Sequence, residues 1–196
     1  MKVRSYILNH ILYTLLLSSI LLSDRYLIDT DNSNVVWIGR KVSGQHHGTI
    51  NISNGYIDIN ENSIIGGEIV IDMSSIKVLD MSDKYNKKLG NHLKHSDFFD
   101  VNKFPEASFK INKSYEFLMI ENILFEGDLK IRDKTTNTLI PAIVSINGSI
   151  AEAIGIVDID RTLFGITYGS GSFFEDLADR AIDDNFTLKF KIIAKK

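Results

Sequence analysis

The chain has 196 residues, no cysteine, two prolines and a formal charge of −3. The lack of cysteine excludes disulfides, thiolate metal sites, a thiol nucleophile and a lipid-modified cysteine anchor. The mildly acidic balance is wrong for a nucleic-acid binder, which must neutralise phosphates. The 44% hydrophobic and 10% aromatic content is that of a folded domain with a full core.

The first residues differ from the rest. Lys2 and Arg4 precede an apolar run from Ile11 to Leu22, with no acid before Asp24. A short basic start and a short apolar centre predict a secretory signal over residues 1–23, or an uncleaved signal anchor. The run falls short of the ~20 residues of a comfortable membrane span. No A-x-A cleavage pattern is present; Ser19 and Ser23 are the small residues available. Loss of Lys2 and Arg4 with a leader takes the net charge from −3 to −5. The remaining domain, 24–196, is expected to be exported to the periplasm and to meet the membrane only through its N-terminus.

Period-2 alternation dominates the body. Phe125, Gly127, Leu129 and Ile131 alternate with Glu126, Asp128, Lys130 and Arg132. Ala107, Phe109 and Ile111 form another such face, as do Ile69, Ile71 and Met73. Phe186, Leu188, Phe190 and Ile192 form a fourth. Each reads as a strand with one apolar and one wet face, the pattern of antiparallel sheet. Further strands are predicted at Val35–Val42, His47–Ile52, Tyr56–Asn60, Glu116–Glu121, Ile140–Ile146 and Ile150–Ile159. Ser53-Asn54-Gly55 predicts a hairpin turn. The stretch from Asp133 to Asn137 and the pair Asn147-Gly148 predict two more.

Between Asp80 and His95 the period becomes helical. Met81, Tyr85, Leu89 and Leu93 fall on one stripe, and Asp80 is placed to cap the start. A short helical turn is expected within Phe173–Ala181. About ten strands with one helix and no βα alternation predict a single all-β domain, an antiparallel barrel or sandwich. An eight-stranded barrel is either packed with side chains or leaves room for one small ligand.

Candidate chemistry is sparse. His92 and His95 at i, i+3, with Asp97, Asp100 or Glu68, make a weak metal-site candidate. The alternative is that these histidines are packed or solvated. Gly169-Ser170-Gly171 lacks the spacing of a nucleophile elbow, and Gly44–Gly48 is no phosphate loop. Asp158 and Asp160 share a strand face, where carboxylates are usually only solvated. Arg161 amid apolar residues reads as a structural tie or as a headgroup contact. Trp37 reads as a core aromatic or as the wall of a ligand tunnel.

The string HLKHSDFFDVNKFPEASFKI at 92–111 resembles the signature of the YceI-like proteins, the polyisoprenoid-binding, lipocalin-like proteins of bacterial envelopes. The opening YLIDTDNSNVVWIGRKVSGQHHGTI, with Trp37, Gly39 and the His46–Gly48 turn, resembles the family's first strands. GGEIVIDMSSIKVLD, LFEGDLKIRDKTTNTLIP and IDRTLFGITYGSGSFFEDLADRAIDD add matches in the same order, covering residues 26–194. Lys130 and Arg132-Asp133 depart from the usual Thr and Gly of the hairpin motif, and His95 stands where Ser is common. The resemblance implies an extended eight-stranded antiparallel β-barrel capped by one short helix, with a long apolar tunnel. It implies an isoprenoid or quinone-like lipid as ligand, no catalytic residue and no covalent cofactor.

The inward faces then nominate Trp37, Phe109, Ile111, Phe125, Leu129, Ile131, Phe186, Leu188, Phe190 and Ile192 as tunnel wall. His46, His92, Arg161 and Tyr168 are the nominated polar mouth. The expected function is carriage of a long-chain amphiphilic lipid, without enzymatic activity and without nucleic acid. Pairing of two barrels is compatible with the sequence, though nothing in it demands a homodimer. A packed barrel acting as a stress-response or interaction module is the alternative, and a His/carboxylate metalloenzyme the third reading.

Overall fold

A computed structural model describes residues 23–117 and 120–196. The leader or anchor expected over 1–23 therefore lies, Ser23 apart, outside the described residues. The strands are β1 (Asp24–Ile28), β2 (Asn34–Lys41), β3 (Gly44–Asn60), β4 (Ser63–Val78), β5 (Glu106–Phe117), β6 (Ile120–Ile131), β7 (Lys134–Asn147), β8 (Ile150–Asp160) and β9 (Ile182–Lys195). One helix, α1 (Asp83–Lys94), lies between β4 and β5. Short 3-10 turns span Arg161–Phe164 and Ala178–Arg180.

Every pairing between named strands is antiparallel, and the sheet closes on itself through β3–β4 and β2–β9. The short β1 pairs with the end of β3 and the end of β9, while β2 pairs with the earlier part of each. Two strands in series thus fill one place in the ring. Nine strands make an eight-stranded barrel, as the alternation and the resemblance led us to expect.

The turns follow their residues. Ile131 pairs with Lys134 across Arg132-Asp133, where Arg132 takes a left-handed φ of 58°. Asn147 pairs with Ile150 across Gly148-Ser149, with Gly148 at 59°. In both loops only the first central residue has positive φ; a type I′ loop needs it at both. That demand is met without glycine at Glu61 and Asn62, with φ of 48° and 71°.

Several expectations need correcting. Ser53-Asn54-Gly55 is not a turn: β3 runs straight through it, with a register shift between Ile52 and Asn54. Gly55 serves close approach instead, since a Cβ there would lie 2.6 Å from the Glu68 carbonyl. The predicted strand Glu116–Glu121 is a strand-to-strand junction, because Phe117 pairs with Ile120. The helix starts at Asp83 after Ser82, and Asp80 does not cap it. Leu93 is buried against β4, but Tyr85 of the same stripe is exposed. Phe173–Ala181 forms only the single 3-10 turn at its end.

The core divides into two clusters along the barrel. One gathers Met73, Val78, Leu93, Phe98, Ile131 and Phe164 beneath α1. The other gathers Tyr26, Ile57, Ile64, Phe125, Ala142 and Ala194 towards the opposite end. Ile50, Ile71, Phe109, Leu188 and Phe190 pack against both clusters yet stay only partly buried. A side chain inside a closed sheet that still carries free surface faces a void.

Candidate functional site: an apolar cavity inside the barrel

That void is a cavity of about 230 Å³ running between the two clusters. Its wall is almost entirely apolar. All ten residues nominated as tunnel wall, from Trp37 to Ile192, line it. Their legibility has a simple cause: residues i, i+2 and i+4 of a strand share one face, so an alternating apolar series points one way.

Small side chains gather on one part of the inner face, where Ala151, Ala153 and Gly155 follow one another along β8. Ala142, Ala151, Ala153 and Ala194 are inward positions of β7, β8 and β9 that line the cavity. The larger Ile71, Phe109 and Leu129 line it from β4 to β6. The phenylalanines and leucines do not close the axis, so the fully packed barrel is not what the chain forms.

Sequence reasoning missed several wall residues. Ile71 and Met73 lay on a recognised strand and were not carried to the wall. Phe98 and Phe99 follow α1 and turn inward, where their rings pack edge to face at 5.1 Å. Phe99 also meets Phe186 edge on at 6.4 Å. The aromatic doublet directly after an amphipathic helix was the available signal.

Of the nominated polar mouth, His92 and Tyr168 meet each other, and His92 and Arg161 both reach the Phe98 ring, while His46 lies apart. His46 lies off the cavity, with its Nδ1 3.1 Å from Asp80 Oδ2. Asp80 makes this contact two residues before Ser82, the N-cap position of α1. His92 packs edge to face on Tyr168 at 4.6 Å and on Phe98 at 5.8 Å, outside the lining. Tyr168 is exposed and also outside it. Of the four, Arg161 alone lines the cavity.

Arg161 is 2% exposed. Its guanidinium donates to the carbonyls of Ile166 at 2.7 Å, Asp183 at 3.0 Å and Ile182 at 3.1 Å. A fourth contact reaches Asp184 Oδ1 at 3.4 Å. Burial lowers its pKa, against the opposing charges of Asp184, Asp160 and Asp183. Burial pushes the Asp184 carboxyl up, but donation from Ser170 and Ser172 and the charge of Arg161 outweigh it and hold it below its ordinary value. The guanidinium therefore ties the Arg161–Phe164 turn to the start of β9. The polar residues that sequence reasoning overlooked at this end of the lining are Asp183 and Asn185.

The other candidate chemistry disperses. Asp158 accepts from Thr187 Oγ1, and Asp160 accepts from Thr162 N and Oγ1. Each carboxylate serves its own local structure. His95 contacts exposed Asp97 at 3.3 Å. Among the described residues no group of three or more His, Cys, Asp or Glu side chains is placed to hold a metal ion. No helix among them is long and apolar enough to cross a membrane.

A closed antiparallel barrel with a greasy interior and one covering helix defines a lipocalin-like class of fold. Within that class, a profile of the YceI-like domain matches residues 26–194, and the chain belongs to this family. Among solved structures it is similar to BcnA of Burkholderia cenocepacia, with a TM-score of 0.69 and 21% identity, over 86% of this chain and 99% of that one. It is similar to a polyisoprenoid binding domain from Saccharophagus degradans implicated in plant cell wall breakdown, with a TM-score of 0.59, 10% identity and coverage of 87% and 97%. A Campylobacter jejuni YceI protein aligns with a TM-score of 0.52 at 18% identity, over 68% of this chain and 74% of that one. No protein with a curated description matches the sequence.

Proposed function

We propose that the chain binds and carries a lipid with an isoprenoid or similar apolar tail, held inside the barrel. The observation that carries this reading is the apolar cavity of about 230 Å³ inside the barrel. An apolar cavity of about 150 Å³ already takes up benzene. This one exceeds that, though it falls just below the roughly 300–1,000 Å³ of drug-sized pockets. Each CH₂ moved from water into such a wall gains about 0.8 kcal/mol. The Saccharophagus degradans polyisoprenoid binding domain, of like fold, supports the same ligand class.

Arg161, Asp183 and Asn185 line the polar end of the cavity, and the Arg161 guanidinium is already engaged by backbone carbonyls. The protein acts as a binder without catalysis and without a covalent cofactor. Export to the periplasm rests on Lys2, Arg4 and the apolar run that follows; N-terminal sequencing of the mature protein tests it.

The direct test of lipid carriage is native mass spectrometry of the purified protein, followed by lipid extraction. A co-purified or added prenyl lipid is expected as a one-to-one complex. No bound lipid and no uptake of added farnesol would contradict the reading.

A further inference from the structure

The outer surface of the barrel carries a contiguous apolar face. Leu139 and Ile143 on β7 and Ile154 and Ile156 on β8 are 50%, 50%, 46% and 57% exposed. Their chain neighbours Ile140, Ala142 and Ala153 line the cavity, so strand alternation turns these four to the outside. The register brings them together, since Ile143 pairs directly with Ile154. Half-buried Pro141 and Leu124, paired across β7 and β6, extend the face by one strand. One exposed isoleucine on such a surface is ordinary, but a patch of four on adjacent strands marks a contact surface. None of the four lines the cavity, so ligand binding leaves them unexplained.

The charges beside the patch differ from one edge to the other. On the β6 edge Glu126 pairs across from Leu139. Tyr115 donates to its Oε2, and Oε1 has no partner among the described residues. On the β9 edge Lys191 and Lys189 pair across from Ile154 and Ile156. Lys191 is tied to Glu152 at 2.8 Å, while Lys189 makes no ion pair among the described residues. The face therefore runs from acid on β6, through apolar β7 and β8, to base on β9.

Such a gradient complements itself. A two-fold pair uses the same patch on both copies. Facing sheets align their strands within about 30°, so the axis runs either along the strands or across them. An axis across the strands lays β6 on β6 and opposes like charges. An axis along them lays β6 on β9 and β7 on β8. Glu126 of each copy then meets Lys189 of the other, with Ile143 and Ile154 at the centre. Four strands about 4.8 Å apart and about 20 Å long present about 300 Å² in projection. That places the contact below about 1,200 Å² in total, the class of weak and transient pairs.

We propose that the outer β7–β8 face is a self-association surface, on which a second copy of this chain docks about a two-fold axis running along the strands, with Glu126 of each copy against Lys189 of the other.

The test is sedimentation velocity of the purified protein over a concentration series. Wild type is expected to pass from monomer to dimer with a Kd above about 1 μM, as suits so small a contact. Ile154→Asp puts a charge at the centre and is expected to leave only monomer. Glu126→Lys and Lys189→Glu each oppose like charges at both ends of the contact, and each is expected to weaken association at least about tenfold. An equal mixture of these two variants is expected to recover wild-type association, because every opposed pair is again of unlike charge. A thermal melt of each variant checks the fold. Lys189→Glu and Ile154→Asp decide the matter if Glu126→Lys, which loses the Tyr115 contact, does not fold. Wild type that stays monomeric at millimolar concentration, dimers that survive Ile154→Asp, or a mixture of the folded charge variants that stays monomeric would overturn the proposal. So would monomers that bind phosphatidylcholine vesicles through the same isoleucines, which would give the face to a bilayer.

Discussion

Arg161 donates to three backbone carbonyls and one carboxylate while almost wholly buried. Replacing it with methionine fills much of the volume but leaves those carbonyls without a donor. A buried acceptor stripped of its partner costs about 1–3 kcal/mol, so Arg161→Met is expected to lose about 3 kcal/mol or more in urea unfolding. A loss under about 1 kcal/mol would show that the tie contributes little. Asp184 adds a pH dependence. Its folded-state pKa is depressed, so the stability it contributes is present above the ordinary carboxylate value near 3.9 and fades as pH falls through the lower folded value. Asp184→Asn is expected to be less stable than wild type at pH 7, with the difference vanishing in strong acid. A difference that persists unchanged in acid would contradict the assignment. The same scale shows where sequence reasoning stops. Phe109 and Phe190 were legible from alternation alone. The partners of His46 and His92 were not, because Asp80 and Tyr168 reach them through folding rather than spacing.

Strand β3 carries the main lesson at the level of elements. Asn54-Gly55 has the composition of a turn, yet β3 continues through it as an irregular strand. The glycine is needed because the Glu68 carbonyl and Ile28 crowd its missing Cβ. Composition reports that a special backbone position exists; packing decides whether it is a turn or a close approach. The true reversal, Glu61-Asn62, carries two non-glycine residues at positive φ. The double change Glu61→Asn and Asn62→Gly suits that turn and is expected to stabilise the protein by about 0.5–1 kcal/mol. Thermal unfolding checks this, and a lowered midpoint would contradict the assigned turn. Helix α1 was legible in its existence, but its start was not: it begins at Asp83 after Ser82, and Asp80 contacts His46 instead.

At the scale of the whole molecule, closure of the ring hides both edges of the sheet and leaves no strand to template aggregation. Most of the fold was readable because each strand is half apolar, and an alternating strand must face a core. The hollow itself was not readable. It depends on how the small inward residues, such as Ala142 and Ala151, and the large ones, such as Phe109, are distributed round the closed wall. That pairing is fixed by register and barrel closure, not by local pattern. It separates a carrier from a packed barrel of the same topology.

The most direct measurement is a crystal structure of delipidated protein soaked with geraniol. The account predicts one chain of density between Phe109 and Phe190, its tail among Ile71, Leu129 and Leu188 and its hydroxyl towards Asn185. Rings meeting at the axis with no chain between them, or geraniol bound only on the outer surface, would contradict it.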